Sequence, residues 1–270
     1  DTFVTVPGRM DTPRAYHPAV PYQGSALVVG GWTGYDATST TEYYDTRSRL
    51  FRKGPDLAVP RDFHDACALD DGRILVVGGL RYLPSGAAEY HNTAEIYDPE
   101  LAAFRETRSR PKSSRAGVRL TPLADGRVLL TGGASGNGPQ AEIFDPDTET
   151  FTGTLSPPAV TRSLHTATLL GSGSVFVADG GTGKMELFDP ATERFFDAGG
   201  ASFVRRTRAT AILMPGDRVL LLGGFAQQGS QTIILSGMDL YLPYQGGGTG
   251  RIVRVGVVLP EPRAGHTERT

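Results

Sequence analysis

Five short apolar runs, residues 26–29, 74–77, 128–131, 175–178 and 219–222, punctuate the chain, and each closes on a double glycine. They are rich in Val, Leu and Ile and too short for helices, which predicts strands buried on both faces. Ahead of most of them stands a turn signal: Asp71-Gly72, Asp125-Gly126 and Gly216-Asp217, with Gln23-Gly24 and residues 171–173 as variants. Glycine and Asp accept the positive φ of tight hairpins. Upstream, a further strand is expected to open at Arg14, Arg61, Arg115, Arg162 or Arg206.

Downstream of the glycines a variable loop leads to a recurring phrase: Ala94-Glu95-Ile96-Tyr97-Asp98-Pro99, Ala141-Glu142-Ile143-Phe144-Asp145-Pro146, Met185-Glu186-Leu187-Phe188-Asp189-Pro190, and the looser Thr41-Glu42-Tyr43-Tyr44-Asp45-Thr46. It predicts a third strand ended by Asp-Pro, because proline cannot donate to a ladder and the Asp side chain can close an Asx-turn. A fourth strand follows at Phe51, Phe104, Phe151 or Phe195. The fifth unit is degenerate: Met238-Asp239-Leu240-Tyr241 keeps the acid and the aromatic, and glycines within 246–250 lengthen its next turn. Four strands per unit, recurring every roughly 44–57 residues, predict an all-β propeller of antiparallel four-stranded blades forming a single domain over residues 1–270.

The ends carry partial units. Residues 2–14 are similar to 151–162, a fourth strand leading into the next unit, and Arg263-Ala264-Gly265-His266 is similar to the opening of another. Either five blades close with the ends overlapping them, or the sequence is cut from a larger ring. Five is favoured, because a sixth blade would lack its two middle strands.

The units resemble the kelch repeat, through the paired glycines after the second strand and the aromatics of the third and fourth strands. The form Arg-x-x-His-x-Ala…Asp-Gly-Arg-x-Leu-x-x-Gly-Gly…Ala-Glu-x-Tyr-Asp-Pro…Phe is most similar to bacterial kelch proteins of the galactose-oxidase type. Residues 61–104 match it closely and most of 14–260 in part, with phenylalanine where many kelch units place tryptophan. The resemblance to galactose oxidase invites copper-radical chemistry, which needs a tyrosine cross-linked to a cysteine. Tyr16 stands at the tyrosine's place, but Cys67, the sole cysteine, lies four residues past the matching site Phe63. The chain is therefore not expected to be such an oxidase. The resemblance also admits sugar isomerisation of the sialate-mutarotase kind, or a cyclase of secondary metabolism.

Composition narrows the picture by exclusion. A net charge of −2 and a pI near 6.2 make no electrostatic case for nucleic acid or an anionic membrane surface. No apolar run approaches the roughly 18–20 residues of a membrane helix. One cysteine excludes an internal disulfide and a cysteine-rich zinc site, and no histidine spacing points to a metal, so no cofactor is expected. The chain opens on Asp1 with no signal peptide, as a processed or trimmed form would, and a secreted or periplasmic location is weakly favoured.

Repeat residues build scaffold, so function is sought where the copies differ. Arg14/His17, Arg61/His64, Arg162/His165 and Arg263/His266 pair three apart at the inner strands. They form either a cationic funnel for an anion or carboxylated sugar, or buried pairs with Glu42, Glu95, Glu142 and Glu186 that tie blade to blade. In blade 2, Asp62 and Asp65 flank His64, and strand alternation would put Asp62 and His64 on one face for acid–base work beside Arg61. The post-glycine loops carry Trp32, Tyr35, Arg81 and Tyr82, residue types that suit a shelf for a glycan or a protein surface, with Tyr16 nearby. The expected function is recognition of such a ligand at the loop face. The alternatives are an enzyme acting in the central funnel on a small anionic or sugar-like substrate, and a structural module of a larger protein.

Overall fold

The computed structural model describes residues 8–133, 138–244 and 250–256; the Arg263/His266 pair and the strands expected at the two ends lie outside them. Among the described residues five antiparallel four-stranded sheets follow one another. Blade 1 comprises Ala19–Tyr22, Ser25–Val29, Thr41–Asp45 and Leu50–Lys53. Blade 2 comprises Asp65–Ala68, Ile74–Val77, Ala94–Asp98 and Ala103–Glu106. Blade 3 is built from Arg119–Pro122, Val128–Thr131, Ala141–Asp145 and Thr150–Gly153. Blade 4 is built from His165–Leu169, Val175–Asp179, Lys184–Asp189 and Arg194–Ala201. Blade 5 contains Thr210–Met214, Arg218–Leu222, Met238–Leu242 and Arg251–Val255. First strands of successive blades pack side by side, which makes them the inner wall of the expected propeller.

The second and third strands bury both faces because each blade is sandwiched between neighbours. Val20, Leu27 and Val29 of blade 1 meet Ala66, Ile74 and Val76 of blade 2. Comparable apolar cores join blades 2 and 3, 3 and 4, and 4 and 5. The third-strand aromatic faces the fourth-strand phenylalanine across the ladder in Tyr44–Phe51, Tyr97–Phe104, Phe144–Phe151 and Phe188–Phe195, with ring centroids 4.8–5.3 Å apart. Directly opposed rings of this kind stabilise a ladder by about 0.5–1.5 kcal/mol beyond the area they bury. The Asx-turns form as expected: Oδ1 of Asp45, Asp98 and Asp145 each accepts two backbone N–H groups of its own turn.

The opening arginines lie in the segments leading into the blades, ahead of the strands they were expected to start. Each guanidinium crosses its own blade to the third-strand acid: Arg14–Glu42 at 2.6 Å, Arg61–Glu95 at 2.7 Å, Arg115–Glu142 at 2.6 Å, and Arg162–Glu186 and Arg206–Asp239 likewise. Further N–H groups reach carbonyls at the end of the second strand, such as Gly30 and Gly78. The acid also accepts backbone N–H groups from the incoming segment, Asp11 and Thr12 on Glu42 and Ala58 and Val59 on Glu95. These pairs therefore close each blade on itself. Blade joins blade through the arginine's carbonyl, which accepts the N–H of the preceding blade's glycine: Gly31 donates to Arg61, Gly79 to Arg115 and Gly133 to Arg162. In blades 1 and 2 glycine suits this approach. Gly30 and Gly78 hold φ of 55° and 70°, and a Cβ on either would sit within 2.8 Å of the next arginine's carbonyl.

Blade 4 departs from the alignment on Gly180-Gly181 by one residue. Arg162 bonds the carbonyl of Asp179, as Arg14 bonds that of Gly30, and Asp179 holds a φ of 65°. Asp179 thus occupies the first-glycine place.

The buried pairs yield the first prediction. Glu142→Ala strands the fully buried Arg115 guanidinium and is expected to cost about 3–5 kcal/mol in urea denaturation. A loss below about 1 kcal/mol would remove the pair from the account of stability.

Candidate functional site

Two residues past each opening arginine the backbone turns left-handed: Tyr16 (φ 56°), Phe63 (51°), Gly117 (70°), Leu164 (54°) and Arg208 (53°). The five form a connected chain, because Phe63 N–H donates to the Tyr16 carbonyl at 3.2 Å, Gly117 to Phe63, Leu164 to Gly117 and Arg208 to Leu164. The repeat fixes this backbone and leaves the side chains unlike one another. Tyr16 and Phe63 stack with centroids 4.3 Å apart and planes 18° from parallel. The Arg208 guanidinium lies over both rings, 4.9 Å from Tyr16 and 5.3 Å from Phe63, and 5.6 Å from Phe225 of the blade 5 hairpin. Trp32 approaches Tyr16 at 6.3 Å. All five left-handed residues line a cavity of about 650 Å³, whose walls are the inner strands and include His17, Val118, Arg119 and Ala209.

Several expected site residues serve the scaffold. Arg14, Arg61 and Arg162 are closed by their carboxylates with side chains almost wholly buried, so the cationic funnel is not formed by them. His64 donates Nε2–H to the Val29 carbonyl at 3.1 Å, and His165 bonds the Thr131 hydroxyl at 2.7 Å; both imidazoles lean onto the preceding blade. Burial, with an arginine close by, holds both well below the usual histidine range and keeps them neutral. His17 lines the cavity, and burial lowers it too.

The expected Asp62–His64 pair is not made. The left-handed turn at Phe63 breaks the strand alternation on which it depended, and Asp62 shares no hydrogen bond with His64. Asp62 lies outside the cavity wall; burial raises its carboxyl to about 6, with the Asp36 charge adding to the shift. Asp65 accepts the N–H groups of Ala66 and Leu120 and so ties blade 2 to blade 3.

The aromatic shelf also separates. Among the described residues neither Tyr35, 96% exposed, nor Tyr82 makes a ring contact with Trp32, and Arg81 is paired with Glu89 at 2.5 Å. The longest loops are hairpins, Leu80–Tyr82 with Ala88–Tyr90 and Phe225–Gln228 with Gln231–Ile234, and the latter adds a third strand by pairing with Arg206–Thr207. Phe63, Arg208 and Phe225 were missed as a group. The signal available in the sequence was the column two past each arginine, where Tyr, Phe, Gly, Leu and Arg succeed one another.

Known proteins match at two levels. The Kelch motif is recognised over residues 13–58, which is blade 1 with its opening segment. An F-box/kelch-repeat protein of Arabidopsis thaliana is 31% identical over 85 residues, 31% of this chain and 24% of that protein. A second is 34% identical over 82 residues, 30% of this chain and 20% of that protein. The matches thus span a quarter or less of those relatives. The solved structure of YjhT superposes with a TM-score of 0.76 over 97% of this chain and 89% of its own, at 14% identity. The chain has a β-propeller fold and carries a Kelch motif in its first blade.

One feature sets blade 4 apart from its sibling blades. Asp179, in a glycine's place, is fully buried between blades 4 and 5, where Arg206, Arg162 and the Ser202 hydroxyl are the polar neighbours that favour its charge. Its nearest cation, Arg206 Nε at 3.6 Å, already pairs with Asp239. Burial pushes the Asp179 carboxyl up to about 7. Between its ordinary pKa near 4 and about 7, the folded state keeps a proton that the unfolded chain has released, so this group lowers stability as pH rises and its effect levels off above 7. Asp179→Asn is expected to stabilise by roughly 2–4 kcal/mol at pH 8 and by little at pH 4. Urea denaturation of both proteins at the two pH values checks this, and an equal gain at both would contradict it.

Proposed function

We propose that this propeller is a recognition module that holds a ring-shaped polar ligand, with a glycan as the fitting class, at the axial mouth of its central cavity. The observation that carries the reading is the Tyr16–Phe63 stack on the rim of a cavity of about 650 Å³. A flat apolar face beside polar groups is what a sugar ring needs, and the volume falls in the range of small-molecule sites. Tyr16 is 43% exposed although its neighbours are packed, so a face remains for a ligand. Trp32 and Phe225 extend the aromatic surface beyond the stack. The side chains of this mouth differ from blade to blade, whereas the Arg–Glu pairs recur, and a binding site belongs where repeats diverge. The acid–base alternative is weaker, since its pair is not formed.

A panel of neutral and acidic sugars screened against the wild type, Phe63→Ala and Tyr35→Ala tests the proposal. Phe63→Ala is expected to weaken every sugar that binds by about tenfold or more. Tyr35→Ala, on the exposed loop, is expected to leave affinity unchanged. Binding that survives Phe63→Ala or is lost in Tyr35→Ala would place the site elsewhere.

A further inference from the structure

Arg208 gives the axial mouth a charge. Among the described residues its guanidinium makes no hydrogen bond and no ion pair, unlike the five arginines closed by blade carboxylates. The other charged groups on the cavity wall are compensated. Arg14 is held by Glu42. Arg119 donates Nε–H to the His165 carbonyl and lies 3.9 Å from Asp65, whose carboxylate also accepts the Leu120 N–H. One positive charge is left over, at the place where the aromatic rings converge. A guanidinium lying over aromatic rings leaves its in-plane N–H fork free, and that fork matches an anion presenting two oxygens.

We propose that Arg208 is an anion subsite, so that the ligand held against the Tyr16–Phe63 stack carries a carboxylate or a phosphate ester. The inference rests on the axial recognition reading and adds the ligand's charge to it. The Gly117 and Leu164 side of the column carries neither an aromatic ring nor a charge, which leaves the ligand's charged group only Arg208 to turn toward within the column.

The chain's single tryptophan, Trp32, stands 6.3 Å from Tyr16 and reports on the mouth by fluorescence. D-Glucuronate, D-glucose 6-phosphate and neutral D-glucose are titrated at low salt, with calorimetry alongside. At least one of the two acids is expected to bind about tenfold or more tightly than glucose, and whichever binds better identifies the source of the charge. Arg208→Gln is expected to bring that acid to within about twofold of glucose. Arg208→Lys, which keeps the charge without the fork, retains part of the preference, and added salt weakens it in the wild type. Equal binding of all three sugars by the wild type, or a preference that survives Arg208→Gln, overturns the anion subsite and leaves the axial ring site standing. Absence of binding by all three in both measurements overturns the subsite as well as the site beneath it.

Discussion

The fold depends on a buried arginine that is satisfied twice over. Its guanidinium closes one blade by reaching the third-strand acid and the end of the second strand, and its own carbonyl fastens the preceding blade through a glycine N–H. A charge this deep is tolerated because its two terminal nitrogens are paired with a carboxylate and with carbonyls, and removal of one partner is far costlier than the pair's net contribution. The same requirement explains the double glycine. In blades 1 and 2 the carbonyl comes within 2.8 Å of where a Cβ would stand on Gly30 or Gly78, and the backbone there is left-handed; blade 4 meets the same backbone with Asp179.

That fastening also sets the backbone of the candidate site. With the arginine held on both sides, the two residues after it have one path to the inner strand, and the chain turns left-handed at the second. Four of the five residues at this turn are not glycine, so each bears a conformational cost of order 1 kcal/mol. The cost accompanies side chains placed on the axis: an aromatic stack, a guanidinium over it, and an open side at Gly117 and Leu164. The buried pair and the candidate site are thus only two residues apart in each unit.

The blades were legible in the sequence because the phrase around Glu95, Glu142 and Glu186 couples three local constraints, an ion-pair acid, a cross-strand aromatic and an Asx-turn, within five residues. The arginine–glutamate pairing was legible as one of two alternatives, but its direction was not. The pairs close single blades, whereas spacing alone suggested ties between them. The site was largely hidden. Positive φ at Tyr16, Phe63, Leu164 and Arg208 leaves no mark on residue types that ordinarily avoid it, so strand alternation was carried through Phe63 and wrongly joined Asp62 to His64. Asp179 was hidden by the two glycines that follow it, which made a shifted register look regular. The meeting of Tyr16, Phe63 and Arg208 joins three different blades, and no local pattern encodes it.

The central claim is that the left-handed column carries function and the buried pairs carry stability. It is tested most directly by the unfolding free energy of a variant with Tyr16, Phe63, Leu164 and Arg208 all replaced by glycine, measured beside Arg115→Met. Glycine relieves the left-handed backbone and offsets part of the lost contacts. The account predicts a folded column variant that loses less stability than the single Arg115→Met substitution, which leaves the buried Glu142 unpaired. A column variant that fails to fold while Arg115→Met remains near wild-type stability would contradict it.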